Sequence, residues 1–257
     1  MKYIRGFYMA LGMFCRVPLP FHIWDEKLTT IMVVSFPLIG FIIGVLWWAA
    51  SLLLIAPAFP IMMVSAILTV TPFWIAGFIH LDGYMDTSDA LLSRRPFEDK
   101  LRILKDPNVG AFAVVMLVIL FLLQFAAIYT VAESGQYLML LITICVVSRC
   151  CSALSIFTLR HADISHYGTL LSKNIGVSHK IFVLLIGFTI VSLSFFYAGI
   201  LGVVVSVAVV LGFTLAMKTV YREFKGISGD LLGYSLVIGE LCGLIAFALL
   251  QGLWVNI

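Results

Sequence analysis

The run "VGAFAVVMLVILFLLQFAAIYTV", residues 109–131, holds 23 consecutive residues without a charged side chain. As a helix rising 1.5 Å per residue it extends roughly 35 Å, enough to cross the ~30 Å hydrocarbon core of a bilayer. Comparable apolar runs predict further spans over 30–55, 60–80, 137–158, 180–197, 199–217 and 232–254. The chain of 257 residues is 62% hydrophobic, with a mean hydropathy of +1.13. A soluble domain has roughly 45–50% apolar residues. The runs are continuous rather than alternating, which excludes a lipid-facing β-barrel. The fold class is therefore all-α: a polytopic helical integral membrane protein with about seven transmembrane helices.

The basic residues set an orientation. All 16 Lys and Arg fall before the first span or in or near the second-to-third, fourth-to-fifth and sixth-to-seventh connections. The connections near 56–59, 132–136 and 198 hold none. Positive connections stay cytoplasmic, so the N-terminus is expected inside, the C-terminus outside, and the membrane is the cell inner membrane. The opening "MKYIRGFYMALGMFCRVPLPFHIW" has a basic start and a short apolar core but no small-x-small cleavage site. Residues 1–28 are expected to lie at the interface, their aromatic rings at headgroup level. With no linker, low-complexity tract or internal repeat, 1–257 reads as one membrane-embedded domain in contact with lipid. A formal net charge of +3 points to no nucleic acid. The five cysteines show no metal-clip spacing and read as small buried hydrophobes.

Charge is concentrated in "HLDGYMDTSDALLSRRPFEDKLRILKDPNVGAF", residues 80–112, of which 80–108 is expected to form a cytoplasmic acidic loop or helix. Asp82, Asp86 and Asp89 are spaced i, i+4, i+7 and fall within roughly 60° of one another on a helix. Carboxylates so placed repel one another unless a cation joins them, and an all-oxygen set suits Mg²⁺ with phosphate as a further ligand. Glu98 and Asp99 sit among basic residues and read as solvated. In "KGISGDLLGYSLVIGE" Asp230 opens the last span on the same side, and Glu240 follows inside it. An intramembrane acid faces a polar cavity or a partner. Arg149, inside the fourth span, is that partner in one reading, and a site role for Glu240 is the other. Arg94, Arg95 and Lys105 are candidates to hold phosphate oxygens, the arrangement phosphoryl transfer requires.

The stretch at 80–112 resembles the signature of the cobalamin synthase family, the adenosylcobinamide-GDP ribazoletransferases. The pattern His-Leu-Asp-Gly-x-x-Asp-Thr-x-Asp-Ala, then Ser-x-Arg, then Lys/Arg-Asp-x-x-x-Gly, matches at 80–83, 86, 87, 89, 90, 93, 95, 105, 106 and 110. "FCRVPLP" at 14–20, "FPLIG" at 36–40 and "GISGDLLG" with Glu240 at 226–240 agree in order and spacing. Cys15, Tyr234 and the connection 160–171 depart from the pattern. The resemblance implies that adenosylcobinamide-GDP and α-ribazole, or its 5′-phosphate, are joined with release of GMP, using Mg²⁺. It implies Asp82, Asp86 and Asp89 at the metal, and Asp106 and Asp230 at a second metal or in base catalysis. Arg16 and His80 match family motifs and are expected at the substrates, without a role that physics assigns. A homo-oligomer, or a complex with other corrinoid-pathway proteins, is left open.

Two other classes compete. A CDP-alcohol phosphotransferase wants Asp-Gly-x-x-Ala-Arg, where this chain has Met85-Asp86. A membrane prenyltransferase wants a second Asp-rich motif, for which Asp230 and Glu240 are a poor copy. A transporter would use Arg149 and Glu240 along a pathway, but the two related halves often seen in transporters are missing.

Overall fold

The computed structural model describes residues 1–21, 23–56, 59–162 and 175–255, with side chains as far as Gln251. The expected spans form as helices. In chain order the elements are α1 (Lys2–Phe14), α2 (Thr29–Val34), α3 (Phe36–Ile55), α4 (Ile61–Ile75), α5 (Ile79–Leu92) and α6 (Phe97–Ile103). They continue as α7 (Ala111–Ser134), α8 (Leu140–Thr158), α9 (Val177–Ala198), α10 (Ile200–Phe224) and α11 (Gly229–Val255). Among the described residues six helices are long and apolar enough to cross a membrane: α3 and α7 to α11.

Two expected spans differ from the reading of the sequence. The one over 30–55 divides at Ser35 into α2 and α3, and Pro37 falls in the first turn of α3. There its missing N–H costs nothing, because the first N–H groups of a helix have no intrahelical partner. The one over 60–80 is broken. α4 is 15 residues long, roughly 22 Å, and α5 leaves it at 94°. Gly77 and Phe78 hold φ of 69° and 63° at the elbow, so the right-handed helix cannot run through them. The turn carries the three aspartates out of line with α4, along one end of the helix assembly and outside the spans. This bent pair counts as a seventh span only if taken as one unit.

α8 is the central helix, with 83% of its span buried against 11% for α9 at the periphery. Its close approach to α3 depends on Gly40 and Gly44: a Cβ at Gly44 would stand 2.6 Å from the Ile142 Cα, and one at Gly40 would strike Cys145 and Arg149. Small residues allow this contact where water cannot drive packing. α11 packs along α10 and also against α5, α7 and α8. The five cysteines are free, and Cys15, Cys145 and Cys150 are buried.

The basic connections meet at one end. Lys100 of α6 pairs with Glu223 at the end of α10, and Lys225 lies over the Phe97 ring. His161 bridges to Ile227, joining the 159–162 stretch to the 225–228 turn, and the Arg16 N–H donates to the Ile75 carbonyl. The uncharged connections near 136 and 198 meet at the other end, where Gln251 donates to the Gln136 carbonyl and Tyr137 packs edge-on to Tyr197. The described basic connections thus lie apart from the uncharged ones near 136 and 198, the grouping that the positive-inside pattern expects. Of the departures from the family pattern, 163–171 lies outside the described residues.

Candidate active site: aspartates at the α5–α11 crossing

The face of α5 is set by what it buries. Leu81 and Tyr84 enter an apolar cluster with Phe73, Leu120, Val237 and Leu241, and the Tyr84 hydroxyl donates to the Met116 carbonyl. Tyr84 also stacks on Tyr234, ring centroids 5.6 Å apart, which gives the departure at 234 a packing role. With these residues turned inward, the i, i+4, i+7 spacing leaves Asp82 exposed and Asp86 and Asp89 half-buried. The single-face expectation holds.

Asp230, in the first turn of α11, joins them because Gly83 lets the helices touch. A Cβ at Gly83 would lie 2.8 Å from the Asp230 Cα and 2.9 Å from its carbonyl oxygen. Gly110 likewise lies against the Asp89 carboxylate, so that no side chain fits between them. Burial first, then the charges of Asp82, Asp230 and Asp89, push the Asp86 carboxyl up to about 6. Among the described residues none of the four aspartates forms an ion pair; the salt bridges there are Lys100–Glu223, Arg102–Asp99 and Arg149–Glu240. The four are close enough to repel, yet no three already stand around one point at ligating distance. This donor set is all carboxylate oxygen and lacks a cationic partner, which is chemistry that fits a hard divalent cation.

Gly83→Ala tests the crossing. Backbone atoms of Asp230 cannot yield to a methyl group, so α5 and α11 must separate, at an overpacking cost of about 1–3 kcal/mol. We expect product formation to fall about tenfold or more, since misplaced catalytic groups lose rate steeply, while Gly187→Ala, whose added methyl would stand 3.6 Å from the Cys150 Sγ, leaves activity near wild type. Turnover and thermal unfolding of both variants check this; unchanged turnover in Gly83→Ala would remove Asp230 from the site.

The remaining candidates separate by position. Arg16 and Asp82 both line a cleft of about 640 Å³, together with Gly77 and Phe78, and the Arg16 guanidinium stands 5.0 Å from the Trp74 ring centre. Arg94, Arg95 and Lys105 are exposed and form no ion pair among the described residues. Asp106 is exposed, and its carboxylate accepts from the Asn108 N–H at 2.9 Å and side chain at 2.7 Å, which holds it below the usual carboxylate range. It thereby shapes the turn that seats Gly110 on Asp89. Glu240 is not with the aspartates: Arg149 donates to it, and the Ser148 hydroxyl stands 2.9 Å away. The ion pair is the reading that the geometry supports for these two residues.

His80 is buried at 8% exposure, packed against the rings of Phe14 and Phe36, and its Nε2 has no hydrogen-bond partner. Burial, with the Arg149 charge adding, holds it down at about 3, so the imidazole is neutral. It borders a cavity of about 140 Å³ that Phe14, Phe36, Ser152 and Asp230 also line. The reading of the sequence missed this cavity. Its one signal was that Phe14 and Phe36 each open a short family-like motif.

Comparison with known proteins gives the chain's family. The family model described as cobalamin-5-phosphate synthase matches residues 6–248. An adenosylcobinamide-GDP ribazoletransferase of Clostridium botulinum (strain Alaska E43 / Type E3) is 36% identical over 246 residues, covering 95% of this chain and 97% of its own length. One of Clostridium perfringens (strain SM101 / Type A) is 36% identical over 249 residues, covering 96% and 99%. A more distant one, of Brevibacillus brevis, is 28% identical over 257 residues. No solved structure matches. With the model spanning nearly the whole chain and relatives matching end to end, this protein belongs to the cobalamin-5-phosphate synthase family.

Proposed function

We propose that this chain joins adenosylcobinamide-GDP to α-ribazole, or to α-ribazole 5′-phosphate, releasing GMP, with Mg²⁺, at the cytoplasmic face of the cell inner membrane. A ribose hydroxyl of the nucleoside attacks the phosphorus bonded to the cobinamide arm. The bond from that phosphorus to the oxygen bridging to GMP breaks, and the hydroxyl proton passes to a carboxylate. The products are adenosylcobalamin, or its 5′-phosphate, and GMP.

The observation that carries this reading is the meeting of four unpaired aspartates from two helices beside a cleft of about 640 Å³ that Arg16 also lines. Asp82, Asp86 and Asp89 are assigned to Mg²⁺, which when bound would neutralise charge on the diphosphate. Arg16 is assigned to the diphosphate in the cleft, and Arg94, Arg95 and Lys105 to phosphate oxygens from the surface. Asp230, approaching from α11 and bordering the His80 cavity, is assigned to the proton of the attacking hydroxyl. Asp106 acts through the turn that places Gly110 against Asp89. The cytoplasmic orientation is supported by the gathering of the basic connections at the aspartate end.

The test is direct. Protein in nanodiscs is mixed with adenosylcobinamide-GDP, α-ribazole and Mg²⁺, and corrinoid product and GMP are followed by chromatography. We expect equimolar product and GMP, dependent on both substrates and abolished by EDTA. No product from folded protein with either form of α-ribazole sinks the proposal, and CDP-alcohol and prenyl donors are then tried. GMP release that needs both substrates also excludes a transporter, which breaks no bond.

A further inference from the structure

The cavity beside His80 adjoins the cleft between Arg16 and Asp82, sharing Met13 and Ile79 with it, but its chemistry differs. It opens at Gly229 and Asp230, where a Cβ at Gly229 would meet open space, and reaches Leu236 two turns deeper in α11, roughly 10 Å in. Its walls are Phe14 from α1, Phe36 from α3 and Ile156 from α8, with Ser152 beside them. The Ser152 hydroxyl proton goes to the Ser148 carbonyl. His80 also lines the cavity, its Nε2 buried without a partner, and apart from Asp230 at the mouth the remaining walls are rings and aliphatic groups. A buried orphan of this kind carries a desolvation cost that a ligand group would recover on binding.

Size and polarity narrow the ligand. A dry apolar cavity of about 150 Å³ takes a benzene ring, so a volume of about 140 Å³ receives one aromatic ring and leaves the rest of a larger group at the mouth. A corrin is far too wide. Guanine would bury several donors and acceptors against rings that answer none of them. A planar heterocycle with one unsubstituted ring nitrogen fits: its faces pack against Phe14 and Phe36, and its nitrogen, at the edge of the His80 ring, accepts from Nε2.

Resting on the function proposed above, we propose that this cavity is the subsite for the base of the acceptor nucleoside, a benzimidazole-type ring, with His80 Nε2–H donating to its free ring nitrogen. The ribose then emerges at the mouth beside Asp230, which brings a ribose hydroxyl to the aspartate cluster. His80 is a binding residue that sets base specificity and takes no part in the proton transfer.

The experiment compares α-ribazole with its indole counterpart, in which carbon replaces the free ring nitrogen. Each is titrated onto wild type, His80→Phe and His80→Gln in nanodiscs without the cobinamide substrate, following the fluorescence of the base. In wild type we expect α-ribazole to bind about tenfold or more tightly than the indole form, the scale of one buried hydrogen bond. His80→Phe should abolish the preference, and His80→Gln, which keeps a donor, should restore part of it. In the full reaction, KM for α-ribazole should rise about tenfold in His80→Phe, by the same hydrogen-bond argument, while KM for adenosylcobinamide-GDP and the unfolding temperature stay near wild type. Equal binding of the two nucleosides by wild type, or a preference that survives in His80→Phe, overturns the proposal. So does weakened affinity for both substrates with a fall in unfolding temperature, which marks a purely structural histidine. Wild type that discriminates the nucleosides but makes no product leaves the subsite standing and removes the reaction instead.

Discussion

Asp86→Asn is expected to slow GMP release by on the order of a hundred- to a thousandfold without unfolding the protein. A cation at a transferring phosphoryl group contributes several kcal/mol of transition-state stabilisation, and each 1.36 kcal/mol is tenfold in rate. Asp86 is the central member of the group, since Asp82, Asp89 and Asp230 all act on it. Replacing it with a neutral amide removes a ligand, but it also relieves repulsion among four carboxylates that have no basic partner among the described residues. The variant should therefore unfold no earlier than wild type when no divalent cation is present. Wild type should gain stability on adding Mg²⁺, because a ligand that binds only the folded state stabilises it by mass action, and Asp86→Asn should gain less. The measurements are single-turnover GMP release and thermal unfolding with and without Mg²⁺. Full activity in a folded Asp86→Asn protein would remove the aspartate cluster from the reaction; lost activity with an early unfolding transition would make Asp86 a structural residue.

Arg149→Leu is expected to produce the largest loss of stability of any single change considered, about 3–5 kcal/mol, because it leaves Glu240 charged and without its partner inside the helix bundle. The Arg149 side chain is 2% exposed and that of Glu240 13%. The guanidinium donates to Glu240, to the Ser148 hydroxyl at 3.1 Å and to the Cys145 carbonyl at 3.1 Å, tying α8 to α11. The double variant Arg149→Leu/Glu240→Leu removes both charges and should recover much of the loss, since an apolar pair of similar volume often matches a buried ion pair. A double-mutant cycle on unfolding in detergent measures the coupling. The two single variants costing as little as a surface change would mean that the pair does not hold α8 to α11. Activity need not return with stability, because Arg149 also lies 6.0 Å from the Phe36 ring that walls the His80 cavity.

Local and one-dimensional features are legible in the chain itself. A run of apolar residues long enough to cross a bilayer must be helical, because hydrocarbon satisfies no backbone group, so the helical class and most spans follow from counting. Which connections share an end of the bundle follows from Lys and Arg placement, and the shared face of Asp82, Asp86 and Asp89 from the 100° helical repeat. The break in the span over 60–80 is not legible in this way. Gly77 carries a turn signal, but Phe78 is a residue that rarely takes positive φ, and only packing against Trp74 and the cleft places it there.

What the sequence alone determined is therefore the solvent the chain is built for, the grouping of its basic connections and the aspartate-bearing helix. These depend on composition and on spacings of a few residues. The tertiary structure decided which distant residues share a place: Asp230 with Asp82 and Asp86 through the bare Gly83 contact, Glu240 with Arg149 rather than with the aspartates, and Phe14, Phe36 and His80 around one cavity. Those meetings join residues far apart in the chain, and no local propensity encodes them. They depend on how closely α5, α8 and α11 approach, which is fixed by glycines and ring stacking between helices.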